Sequence, residues 1–174
     1  MTKFDNISYL KTGNEKQQNV YRILTACSIM DKLADFSPIL TGTIPIEVDI
    51  DESDLDILFY WNDKAYFKEA VSIFSSHKNF KIVNAVVNGF DTIIAKFIID
   101  GFNLEVFGQN RPTKEQEAYR HLIIENQILQ IKGERFKQEV INLKKKGVKT
   151  EPAFGLLLGL TGNPYIELLH YEMT

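Results

Sequence analysis

Near the start of the chain apolar side chains return every three or four residues. Val20, Ile23, Leu24, Cys27, Met30 and Leu33 keep the spacing of one helical face, which predicts an amphipathic helix over residues 14–35. Thr12, with Glu15 three residues on, has the form of a capping box that would open it. Cys27 falls on the apolar stripe and reads as a buried small hydrophobe. The period then changes. Ser37-Pro38-Ile39-Leu40-Thr41 reads as a short strand running into Gly42. Over 53–61 apolar and polar positions alternate, with Leu55, Ile57, Phe59 and Trp61 on one side and Asp54, Asp56, Leu58 and Tyr60 on the other. Asn62 is placed to cap a helix whose inner face is Phe67, Val71 and Phe74.

Between 80 and 107 the pattern is a meander. Asn88-Gly89 and Asp100-Gly101 are turn dipeptides that favour positive φ and tight hairpins. The segments around them, 81–87, 91–99 and 102–107, are rich in Val, Ile and Phe and read as antiparallel strands. Beyond them the chain is helical. Thr113 with Gln116 forms a second capping-box pattern, and Gly133 interrupts the helix it opens before another at 134–146. Thr150-Glu151-Pro152 and Asn163-Pro164 each place a cap residue ahead of a first-turn proline. The expected class is α+β: a mixed, largely antiparallel sheet with flanking helices and a C-terminal helical tail. At 174 residues the chain fits a single domain, 1–174, with a core at about 14–110 and a tail at about 111–174.

Composition narrows the partners. With 44% hydrophobic and 25% charged residues, the chain is neither disordered nor fibrous. A net charge of -3 gives no electrostatic demand for nucleic acid, so a nucleic-acid partner ranks last. Its 1 Cys can form neither an internal disulfide nor a zinc cage. The opening residues lack a signal-peptide core and no run is long enough to span a membrane, so a cytoplasmic protein without membrane contact is expected. Charge is nonetheless segregated. No basic residue lies between Lys32 and Lys64, an interval holding Asp35, Glu47, Asp49, Asp51, Glu52, Asp54, Asp56 and Asp63. The segment 111–150 is basic, and its lysines, Lys144 to Lys146 included, read as solvated helix faces.

Asp54 and Asp56 carry the chemistry. Two residues apart on a strand, their carboxylates leave the same face about 7 Å apart at the backbone. Converging carboxylates repel unless a cation lies between them, and an all-oxygen donor set suits Mg²⁺. Upstream, Gly42-Thr43 follows a strand, where a glycine lets a phosphate approach backbone N–H groups and the hydroxyl adds a donor. Downstream, Glu105 sits between Leu104 and Val106 and is a candidate third ligand and proton acceptor. A calcium loop starting at Asp49 fails, because its glycine position is Asp54 and its twelfth position is Tyr60.

Together, Gly42-Thr43, Ser53-Asp54-Leu55-Asp56-Ile57 and Leu104-Glu105-Val106 resemble the motif set of the polymerase-β-type nucleotidyltransferase superfamily. Thr41-Gly42-Thr43-Ile44-Pro45-Ile46, Ala118-Tyr119-Arg120-His121, Pro152-Ala153-Phe154 and Gly162-Asn163-Pro164-Tyr165 are further similar to a small bacterial family of unknown function assigned to it. The resemblance implies transfer of a nucleoside monophosphate from a nucleoside triphosphate to a hydroxyl of a small molecule or protein. It implies two Mg²⁺ ions held by Asp54, Asp56 and Glu105, the same three acting as catalytic residues, with Gly42 and Thr43 on the β- and γ-phosphates. Arg120 is the expected distal phosphate contact, with His121 beside it and Arg111 nearby. Two positions depart from the pattern. Thr43 stands where Ser is commoner, and Ile44-Pro45-Ile46-Glu47-Val48 reads as apolar and extended where many members carry a short polar helix with an arginine. The rival implication is a non-catalytic or antitoxin-like binding module on the same fold.

Overall fold

The computed structural model describes residues 2–172; Met1, Met173 and Thr174, the ends of the expected domain, lie outside them. Short 3-10 turns at Lys3–Asp5 and Ser8–Thr12 lead into α1 (Glu15–Cys27), which Asn14 caps through its side chain on Gln17 N. Asn14 and Gln17 make the capping box, not Thr12 and Glu15. Thr12 instead donates its hydroxyl to Tyr9 O at 3.5 Å. The expected long helix also breaks at Ser28, which is left-handed with φ 55, and resumes as one turn, α2 (Ile29–Lys32). Cys27 is half-buried against the core rather than sealed in it.

Strand β1 (Ile39–Thr41) ends at Gly42. The segment after it is not extended, as its composition suggested, but a 3-10 turn at Ile44–Ile46. Pro45 sits in its first turn, where a fixed φ favours helical geometry and no N–H is needed. Strand β2 (Leu55–Tyr60) follows, then α3 (Lys64–Ser72), capped by Asp63 rather than Asn62. The meander is β3 (Lys78–Val87), β4 (Phe90–Ile99) and β5 (Phe102–Gln109). Its hairpins turn at Asn88-Gly89 and Asp100-Gly101, all four residues at positive φ as the mirror-image turn demands.

The sheet order is β1-β2-β5-β4-β3, with β2 and β5 parallel and the other pairs antiparallel. The parallel pair lies at the centre and joins the meander to the acidic strand. Helix α4 (Glu117–Lys145) is bent at Gly133, whose φ of 74 is non-helical. The Thr113–Gln116 box does not form: Thr113 donates its hydroxyl to Ser37 O at 2.7 Å, and Gln116 Nε2 donates to Phe59 O at 2.8 Å. Both side chains tie the tail to the sheet instead of capping a helix. Helices α5 (Thr150–Leu158) and α6 (Pro164–Glu167) complete the tail, α6 capped by Asn163 as its sequence indicates and α5 preceded by Lys149 rather than capped by Thr150.

Two apolar layers enclose the sheet. Leu55, Ile57, Phe59, Leu104 and Val106 pack with Leu24, Phe67, Val71 and Phe74 from α1, α3 and the turn after α3. On the opposite face Ile39 and Leu58 pack with Leu122, Ile128, Phe136, Val140 and Phe154 of the tail. Alternation along β2 therefore serves both layers, and it leaves Asp54 and Asp56 on the tail-facing side, where the helices cover Leu58 but stand off the acids. Among the described residues no helix is long and apolar enough to cross a membrane.

Candidate active site

Strand pairing brings the acids into line. Asp56 lies directly opposite Glu105 across the parallel pair, opposite Thr41 on its other side, and Glu105 in turn lies opposite Lys96. Residues directly opposite share a face, so Thr41, Asp56, Glu105 and Lys96 form a row across the strands. Asp54 is two residues before Asp56 on the same side. Glu105 takes an ion pair from Lys96 Nζ at 2.6 Å, and Asp54 accepts from Asn103 Nδ2 at 3.1 Å. Among the described residues no side-chain partner holds the Asp56 carboxylate. Burial, then the Glu105 and Asp54 charges, push its pKa up to about 6.

Gly42 forms the floor beneath Asp56, with φ +76, a conformation L side chains rarely adopt. Thr43 follows, its hydroxyl donating to Ser53 Oγ at 3.3 Å, while Ser53 Oγ accepts from Ile50 N at 2.9 Å. These bonds hold the loop before β2 against the turn after β1. Among the described residues no three His, Cys, Asp or Glu side chains are preassembled as a metal cage. The donor chemistry nonetheless fits a hard divalent cation: oxygen ligands only, one of them a carboxylate whose ionisation its neighbours oppose.

The row opens into a cavity of about 390 Å³ between the sheet and the tail. Gly42, Thr43, Asp56 and Glu105 line one part of it; Glu117, His121, Glu125, Glu151 and Tyr165 line the helical wall. Asp54 borders a neighbouring groove shared with Lys96 and Glu105. Arg111 lines the cavity and stacks over the Phe90 ring at 4.8 Å. Arg120 does not line it; the side chain is exposed. Along α4 the residues at 117, 121 and 125 face the cavity, and position 120 lies about 100° around the helix from 121. His121 is buried, its Nε2 donating to Tyr165 O at 2.9 Å, which fixes the ring's tautomer and ties α4 to α6.

Arg120 is not alone in departing from its expected place. Lys144 is not on a solvated face: it is 7% exposed and donates to Val48 O at 2.7 Å. Burial lowers its pKa to about 8, and its charge acts on both Asp56 and Glu125. Nothing local separates Lys144 from Lys145 and Lys146; its acceptor lies 96 residues away.

The fold is that of nucleotidyltransferases. The chain superposes on a cytoplasmic RNA terminal U-transferase with a TM-score of 0.57 at 13% identity, over 83% of this chain and 48% of that one. The Cid1 RNA terminal uridylyl transferase gives 0.55 at 12% identity over 75% and 41%, and the polymerase core of the TRAMP RNA surveillance complex gives 0.53 at 12% over 94% and 50%. The chain thus spans about half the length or less of these solved structures. No curated protein matches it in sequence. Residues 22–171 match the family model described as "Domain of unknown function (DUF4269)", and the chain belongs to that family.

Proposed function

We propose that the protein is a Mg²⁺-dependent nucleotidyltransferase that moves a nucleoside monophosphate from a nucleoside triphosphate to a hydroxyl of a small molecule or protein. The observation that carries this reading is the register of Asp56 against Glu105, with Asp54 on the same side and Gly42-Thr43 beneath. Asp54, Asp56 and Glu105 would hold two Mg²⁺ ions, which when bound offset the charge of the phosphates and of the departing pyrophosphate. Gly42 would present backbone to the β- and γ-phosphates at close range, and the Thr43 hydroxyl would add a donor by exchanging Ser53 Oγ for a phosphate oxygen. Glu105 would accept the proton of the incoming hydroxyl, which requires it to exchange Lys96 for the acceptor. Lys96 and, after it, Lys144 act on Asp56 through their charge and supply positive potential near the acids.

The solved structures act on RNA by their own descriptions, whereas this chain carries a net charge of -3. A small-molecule or protein acceptor therefore fits it better. A second reading, a non-catalytic or antitoxin-like binding module, is favoured by one observation: Lys96 and Asn103 already engage Glu105 and Asp54. Incubating the protein with α-phosphate-labelled ATP, CTP, GTP and UTP, with and without Mg²⁺, separates the two. Mg²⁺-dependent nucleotide binding with pyrophosphate release supports transfer, and absence of any Mg²⁺-dependent binding supports the module.

A further inference from the structure

The helical wall of the cavity has chemistry that the acidic row does not use. Glu117, His121 and Glu125 recur every four residues on α4, and Glu151 and Tyr165 complete the wall from α5 and α6. Glu125 is 4% exposed, lines the cavity, and its Oε1 has no hydrogen-bond partner among the described residues. The side-chain carbonyl Oε1 of Gln116, buried in the same lining, is likewise without one, while its Nε2 bonds to Phe59 O and Arg111 O. The two unmet groups on this wall are both acceptors. A buried acceptor left without a donor costs about 1–3 kcal/mol, so a ligand that seats here must bring N–H or O–H groups.

Charge sharpens the requirement. Glu151 acts on Glu125, and burial together with that charge raises the Glu125 pKa well above its ordinary value. The cation nearby, Lys144, has its ammonium on the Val48 carbonyl, and Asp49 faces it as well. His121 gives Nε2 to Tyr165 O and places Nδ1 3.8 Å from Glu151 Oε1. A neutral hydroxyl would satisfy the unmet oxygens, but only a cation would also favour the ionised form of Glu125 that burial and Glu151 oppose, and offset both acids together.

We infer that this wall is a recognition site for a protonated amine, so that the small molecule bound opposite the acidic row is an amine-bearing one. This rests on the proposed transfer reading only in calling that molecule the acceptor. Gln116 lies nine residues before Glu125, about 13 Å along the helix, so an extended molecule with several amines could meet both.

The test is calorimetric titration of the full chain, without nucleotide or Mg²⁺, with spermidine and with glucosamine, each against an amine-free counterpart of similar length (a triethylene glycol, and glucose). At least one amine should bind ten times more tightly than its counterpart, and Glu125→Gln should lower that affinity tenfold or more. Glu151→Gln serves as the second variant, and melting curves establish that each is folded. Equal binding of amines and counterparts overturns the inference. So does amine binding that both variants leave unchanged, which would mark a diffuse surface effect. Absence of amine binding also overturns it. Because these titrations contain no nucleotide, amine binding can fail while the transfer reading stands, or succeed while that reading fails.

Discussion

A Cβ built on Gly42 would stand 2.6 Å from Oδ2 of Asp56, closer than any real side chain tolerates. The turn after β1 and the carboxylate on β2 are thus fitted to each other, and the fit requires the residue with no side chain.

Gly42→Ala should therefore act twice. The left-handed backbone costs about 1–2 kcal/mol for a residue with a Cβ, and the new methyl drives the Asp56 carboxylate out of the row. Denaturant unfolding should show that loss of stability, and nucleotide titration should show loss of Mg²⁺-dependent binding. Undiminished binding would separate Asp56 from the phosphate site.

The pKa of Asp56 predicts a pH dependence. Its folded value of about 6 lies above the unfolded value, so between the two the native state holds more protons than the unfolded state. Stability from this group is complete below about pH 4 and is lost as pH rises through 6, by about 2–3 kcal/mol at most for a shift of this size. Mg²⁺ needs the ionised form, so its affinity should rise steeply from pH 5 to 7, and saturating Mg²⁺ should flatten the fall in melting temperature. Melting curves across pH, with and without the ion, read both effects.

Asp56→Asn removes the group whose ionisation is most opposed. The variant should be as stable as the wild type at pH 7 or about 1–2 kcal/mol more so, because burial of a charge beside two others is relieved. Its Mg²⁺-dependent nucleotide binding should disappear. Binding that survives intact would count against the metal assignment.

Much of this arrangement was legible in the residues, and the illegible part has a common cause. The alternation of Leu55, Ile57 and Phe59 with Asp54, Asp56 and Leu58 gave the strand and its two faces, because a two-residue period is a local property. Asn88-Gly89 and Asp100-Gly101 set the hairpins for the same reason. Helix starts were ambiguous: Thr12 and Asn14 each have a suitable partner three residues on, and only packing selects Asn14. Thr113 and Gln116 were diverted from capping by acceptors at Ser37 and Phe59. Lys144 was indistinguishable from its neighbours until α4 folded against Val48. Local pattern decides elements, while the duty of a polar side chain depends on partners far along the chain.

The phosphate cation is the last case, and it can be tested directly. The sequence pointed to Arg120, but that side chain is exposed and outside the cavity lining. Arg111 lines the cavity, yet it follows Gln109, which stands about 13 Å along β5 from Glu105, four residues at strand rise. That places it toward the end remote from Gly42 and Thr43. Two cations act on Asp56 through their charge, Lys96 first and then Lys144, and Lys96 is already engaged by Glu105. Arg120→Ala should therefore leave Mg²⁺-ATP affinity within about twofold, well below the 1.5–3 kcal/mol of a lost charged hydrogen bond. Lys144 does not line the cavity either and acts at a distance through its charge, so Lys144→Met should weaken the same affinity by less than that range while lowering stability, since the Val48 carbonyl loses its donor. Titration of the three variants, Arg111→Ala among them, ranks the cations. A loss confined to Arg120→Ala would return the phosphate grip to the exposed face of α4 and require the helix to turn toward the acids on binding.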